Sequence, residues 1–202
     1  MGRIIKNRQI IDDPWQIIAD DAELPGGSII VSLARWNRDR AALPARSEPL
    51  GVLVPNTVAV AELAGDLSHW QVVALEFPKF ADGRAYSQAR LLRERYGYRG
   101  EIRAVGEVLR DQLWFMARSG FDAFVLRADR SLDEALAAFA EFSESYQPAA
   151  DQLLPLYRRE RSATVITENT SRSESDWPTF PTRGLQPPRS GHVFFLMIRR
   201  PP

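Results

Sequence analysis

The sequence predicts an α/β fold: about five strand–helix units forming a mainly parallel sheet, preceded by an N-terminal β-hairpin. Three observations carry this. Short runs rich in Val, Ile and Leu recur along the chain (IIVSLA, LGVLV, QVVALEF, EIRAV, DAFVLR), as strands buried on both faces require. The intervals between them have room for helical crossovers and carry helix start and stop signals. The chain has 202 residues, enough for one sizeable core. Periodicity leaves two architectures open, a doubly wound sheet and an incomplete barrel.

The elements follow in order. Residues 3–12, RIIKNRQIID, place two apolar pairs around a polar turn, a hairpin pattern. After the PGGS turn comes a strand over 29–34, then a weakly patterned helix over 35–46. LGVLV (50–54) is a strand, and Asn56-Thr57 opens a short helix over 58–68. QVVALEF (71–77) ends at Pro78, which has no N–H for a ladder. The helix over 84–96 buries Ala85, Ala89, Leu92 and Tyr96, with Asp82 as N-cap and Gly97 in the left-handed position after it. EIRAV (101–105) is the next strand. A helix over 107–119 follows, with Leu109, Leu113 and Met116 on one face, Glu107 and Asp111 early, Arg118 late, and Gly120 as its stop. DAFVLR (122–127) is the last strand. Ser131 and Glu134 form a capping box for a helix over 132–146 that turns Leu132, Leu136 and Phe139 to the core.

One domain is expected over 1–161. From Ser162 the chain becomes rich in Ser, Thr and Pro without apolar periodicity, the composition of a disordered tail. Its last residues, MIRRPP (197–202), translate ATGATACGGCGACCACCG, which looks like a common sequencing-library adapter; the tail is therefore expected to be read-through rather than native sequence.

Composition excludes several classes. Cysteine is absent, which removes disulfides, thiolate nucleophiles and cysteine-ligated iron–sulfur clusters. Two histidines, His69 and His192, do not make a histidine-rich metal site. Neither a metal nor a cofactor is expected. Lys+Arg and Asp+Glu are 26 each, so the basic excess of a dedicated nucleic-acid binder is missing. No apolar run approaches the roughly 20 residues of a membrane span. The N-terminus lacks a signal-peptide core, and a cytoplasmic location is expected. There is no G-x-G-x-x-G, Walker A or G-x-S-x-G motif.

In open α/β sheets and barrels alike, ligands sit at the carboxyl ends of the strands. That edge offers Arg35, Trp36, Asn56, Glu76, Lys79, Asp82, Arg84, Glu107 and Arg127. Lys79, Asp82, Arg84 and Arg127 suggest an anion site, since cations beside a helix start attract sulfite, sulfate, phosphate or carboxylate. Glu76 and Glu107 are the candidates for a general base; Glu76 equally suits an ion pair with Arg103 or Arg127. Arg90, Arg93, Arg95 and Arg99 around Tyr96 and Tyr98 are expected to be a solvated helix face. Trp114, Phe115 and Met116 read as packing, and His69 falls at the amino end of its strand, the wrong end for catalysis.

Residues 76–124 closely resemble a bacterial family, domain of unknown function 934, and the similarity extends loosely from about Ile4 to Gln147. FPKF-x-DGR-x-YS and RG-E-I-RAVG-E-VLRDQ are the blocks that carry it. The chain departs from the family pattern at Glu76 and Glu107, where members carry Asp, at Ala81 (Thr) and at Ala85 (Gly). The resemblance implies a link to sulfite reduction: members are commonly encoded beside assimilatory sulfite reductase and labelled as its oxidoreductases. It carries over no catalytic residue. Two expectations follow. The first is an accessory protein of assimilatory sulfite reduction, partnered with the reductase or another sulfur-assimilation enzyme that holds the redox centre. The second is a small anion-binding enzyme using the Lys/Arg rim.

Overall fold

A computed structural model describes residues 2–159 except Ala128 and Ser143. Its strands are β1 (Arg3–Lys6), β2 (Gln9–Asp12), β3 (Gln16–Ile17), β4 (Ile29–Ser32), β5 (Leu50–Val54), β6 (Val72–Phe77), β7 (Glu101–Gly106) and β8 (Ala123–Phe124). Its α-helices are α1 (Leu33–Arg38), α2 (Val60–Leu63), α3 (Arg84–Glu94), α4 (Leu113–Ser119) and α5 (Leu132–Ala137). The expected tail, 162–202, and His192 lie outside the described residues.

The eight strands form one sheet in the order β2-β1-β8-β7-β6-β5-β4-β3. From β3 to β8 every neighbouring pair is parallel; β1 is antiparallel to both β2 and β8. A doubly wound sheet reverses its strand order once, and this one does not. Right-handed crossovers between successive strands therefore fall on a single face. That face carries the main core, in which Val52, Val73, Leu75, Phe77, Ile102 and Ala104 meet Leu63, Ala85, Ala89, Leu92, Leu113 and Met116. The other face buries a small cluster, Ile30, Val72, Ala74 and Val105, under Trp15.

The sheet curls. Its edge strands β2 and β3 are joined by Asp13, Pro14 and Trp15 alone, which reach at most about 14 Å. A flat sheet of this width would hold its edges about 34 Å apart. Of the two architectures left open by the sequence, the strand order and this short link select the curled one.

Several boundaries differ from expectation, each for a local reason. The strand expected over 29–34 stops at Ser32, whose Oγ accepts the Arg35 N–H at 3.0 Å and caps α1. The helix expected over 35–46 is α1 plus a 3₁₀ turn at Leu43–Ala45. The helix expected over 58–68 is α2 plus a 3₁₀ turn at Leu67–His69. The helix expected from 107 starts later: Gly106 (φ +96°) turns the chain, and a 3₁₀ turn at Arg110–Gln112 precedes α4. The strand expected over 122–127 pairs only at Ala123–Phe124. The helix expected over 132–146 is α5 plus a 3₁₀ turn at Ala138–Ala140, because the apolar stripe stops at Phe139 and Phe142 faces solvent. Gly83, not Asp82, is the N-cap of α3. Gly97 and Gly120 do take positive φ, +63° and +112°. β3 carries no readable period in two residues and is absent from the expected elements.

Candidate functional site

Side chains alternate along a strand, so β6 sends Val73, Leu75 and Phe77 to the helices and Val72, Ala74 and Glu76 to the concave face. On β7 the concave residues are Glu101, Arg103 and Val105, with Arg103 beside Ala74 and Val105 beside Glu76. Arg103 is 1% exposed. Its Nε donates to Glu101 Oε1 at 2.7 Å and its Nη1 to Asp13 Oδ2 at 2.8 Å. Lys6 Nζ lies 2.8 Å from Glu101 Oε2. This four-charge network fills the concave face from inside and fixes the Asp13–Trp15 link against it.

Glu76 stands nearer the carboxyl mouth than this network and is half-buried. Neither ion pair expected for it forms: Arg103 is taken by Glu101 and Asp13, and Arg127 by Glu107 and Asp129. Among the described residues Glu76 makes no side-chain hydrogen bond or ion pair.

The mouth is built at the end of β8. Because β1 runs antiparallel to β8, with Ile5 opposite Phe124, Arg3 comes to lie beside Leu126. Arg3, Arg127, Arg130 and Ser131 line a cavity of about 270 Å³ there, with Asp133 on its wall. Arg127 grips Asp129 with two nitrogens, at 2.7 and 2.8 Å, and reaches Glu107 Oε2 at 3.2 Å. The Arg127 guanidinium holds the Asp129 carboxyl down at about 2. The same contacts, Asp129 first, raise Arg127 above its ordinary value. Arg130 Nε stands 3.7 Å from Asp129, and Arg3 has no carboxylate partner among the described residues. Two guanidinia thus face the cavity with spare donors, the composition that recognises an oxyanion.

The sequence-predicted site residues separate. Glu107 and Arg127 come together at this mouth. Lys79, Asp82 and Arg84 lie at the end of β6, two strands away. Arg84 is spent on Asp82, through Nε at 2.9 Å and Nη2 at 2.6 Å. This pairing, before the Asn56 amide, holds the Asp82 carboxyl well below the usual carboxylate range. Lys79 is exposed on the loop between them. Arg35 clamps the backbone, donating to the Ala19 and Ala22 carbonyls at 2.6 Å each. Trp36 is a core residue whose Nε1 donates to Asp66 at 3.1 Å. Arg93, expected in a solvated face, staples the chain instead: it binds the carbonyls of Gly120, Tyr98 and Gly100 and the Asp122 carboxylate.

Sequence reasoning did not find Arg3, Arg130 or the Ser131 hydroxyl as site groups. The signal for Arg3 is the β1–β8 pairing, which no local pattern encodes. Among the described residues, no group of three His, Cys, Asp or Glu side chains is placed to hold a metal, and no helix is long and apolar enough to cross a membrane.

A family model for a bacterial protein of unknown function (DUF934) matches residues 51–157. No curated protein and no solved structure matches the chain.

Proposed function

The chain belongs to the DUF934 family of bacterial proteins of unknown function, so its role must be read from its geometry: we propose that the carboxyl mouth of its curled sheet holds a small oxyanion of the sulfite, sulfate or phosphate kind. In this reading the protein serves assimilatory sulfite reduction in the cytoplasm as an accessory protein beside the reductase. The observation that carries the site is the guanidinium cluster of Arg3, Arg127 and Arg130 around one cavity at the end of β8. The resemblance to proteins encoded beside sulfite reductase supports the pathway. With no cysteine, the chain offers no thiolate for an iron–sulfur cluster, so in this reading the partner carries any six-electron centre of that kind. Glu76, on β6 and without a partner among the described residues, does not line this cavity, so the reading gives the site binding and assigns it no proton-transfer group.

Thermal melts of the full chain with sulfite, sulfate and phosphate, against chloride at equal ionic strength, test the site. At a ligand concentration 100-fold above Kd, mass action stabilises by about 2.7 kcal/mol, a rise of about 5–10 °C for a domain of this size. Arg130→Ala is expected to weaken binding about 10-fold or more, since hydrogen bonds to charged groups contribute about 1.5–3 kcal/mol. Asp129→Asn removes the carboxylate that competes for Arg127 and is expected to tighten binding several-fold. Equal melts in every salt would rule out the site. The pathway half has its own test: deletion of the gene should prevent growth on sulfate but not on cysteine.

A further inference from the structure

We propose a second anion site at the opposite end of the sheet, built for a sugar-phosphate-sized phosphate ester. This goes beyond the mouth at β8 and does not depend on it. The site lies where the β1–β2 turn meets α4 and the segment after α5. A cavity of about 320 Å³ opens there, edged by Arg8, Trp114, Arg118, Glu144, Asp151 and Arg159.

Arg8 is the first pointer. Asn7 and Arg8 both take positive φ, 49° and 62°, the two central positions of a type I′ turn. Glycine is the favoured second residue there, and arginine is strained. The strained residue sends its guanidinium over the Phe139 ring, 5.9 Å from the centroid, at the cavity edge. It has no carboxylate partner among the described residues.

Arg118 is the second. Its side chain is 9% exposed and stacks 5.1 Å from the Trp114 ring. Its Nη2 donates to the Gln147 carbonyl at 2.6 Å, and its Nε stands 3.4 Å from Asp151. Its Nη1 has no partner among the described residues. Arg159 is committed: Nη1 to Glu144 at 2.9 Å, Nη2 to the Ser145 carbonyl and Nε to the Leu154 carbonyl.

Both carboxylates on the wall are thus already met by arginines, while donors on Arg8 and Arg118 remain open. Three guanidinia against two carboxylates leave the cavity edge net positive with open N–H donors, which favours a ligand bearing an oxyanion. The volume is about ten times that of a water and at the lower bound of small-molecule pockets. A bare inorganic anion leaves most of it unfilled. The polar side chains around it favour a hydroxylated body over an apolar one, hence a sugar phosphate.

Calorimetric titration of the full chain with ribose 5-phosphate, glucose 6-phosphate and inorganic phosphate tests this. The sugar phosphates are expected to bind at least 10-fold more tightly than inorganic phosphate, and equally well to Arg130→Ala, whose side chain does not line this cavity. Arg8→Gly gives the turn its preferred residue, so its melting temperature without ligand should rise while sugar-phosphate affinity falls at least 10-fold. Arg8→Lys keeps the charge and should retain weakened binding. Unchanged affinity in Arg8→Gly, or no binding of either sugar phosphate at millimolar concentration, overturns the proposal.

Discussion

Arg103→Met is expected to destabilise the fold by about 3–5 kcal/mol, the cost of removing one partner from a buried charge network. Arg103 satisfies Glu101 and Asp13 at once, at 2.7 and 2.8 Å. Methionine fills a similar volume, so the loss is electrostatic rather than a cavity. Glu101, 7% exposed, would keep only Lys6, and Asp13 would lose its anchor. Because the Asp13–Trp15 link joins the two sheet edges, the effect should reach Trp15 and the small cluster beneath it. Whole domains are stable by only about 5–15 kcal/mol; a urea midpoint reports the change directly. Adding Glu101→Gln and Asp13→Asn to Arg103→Met removes the stranded charges and should recover part of the loss. A midpoint unchanged by Arg103→Met would mean that the network contributes nothing to closing the sheet.

The second large effect is at Gly106. Its φ is +96°, and a Cβ there would lie 2.4 Å from the Phe77 carbonyl oxygen. That oxygen accepts the Glu107 N–H at 2.8 Å. Gly106→Ala therefore combines a strained backbone with a clash against a main-chain atom, about 2–4 kcal/mol in all. Gly97→Ala is the control: φ is +63°, but nothing lies within 4 Å of the added atom, so about 1 kcal/mol is expected. Gly106→Ala should also disturb function, because moving Glu107 loosens its 3.2 Å contact with Arg127 and reshapes the mouth. Equal losses in the two variants would show that the close approach to Phe77 is unimportant.

The strands and caps were legible because they are local. LGVLV reads as a buried strand and forms β5 over the expected residues. Ser131 caps α5 through its Oγ, as Ser131 and Glu134 suggested. The curl was not legible, since it depends on a three-residue link between edges that are neighbours only after the sheet has formed. Arg103 looked like one polar residue in an apolar run. Its partner Asp13 lies 90 residues away, and no periodicity connects them. For the mouth, Arg127 and Glu107 were legible from their places at strand ends. Arg3 reaches them only through the antiparallel β1–β8 pairing. The Lys79–Arg84 junction promised free cations beside a helix start, but residues two apart in a turn closed on each other, and Arg84 was consumed by Asp82.

Both ends of the sheet hold arginines with open donors. At β8 the guanidinia of Arg3 and Arg130 face the cavity with spare donors, beside an Arg127 held by Asp129 and Glu107. At the β1–β2 turn both carboxylates on the wall are met by arginines, which suits binding without chemistry.

Crystals of the full chain soaked in selenite, a sulfite analogue with an anomalous signal, would show whether Arg3, Arg127 and Arg130 hold an oxyanion. A selenium peak is expected within hydrogen-bonding distance of these guanidinia at the end of β8, weakened in Arg130→Ala. A selenium position elsewhere, or none at the mouth, would contradict it.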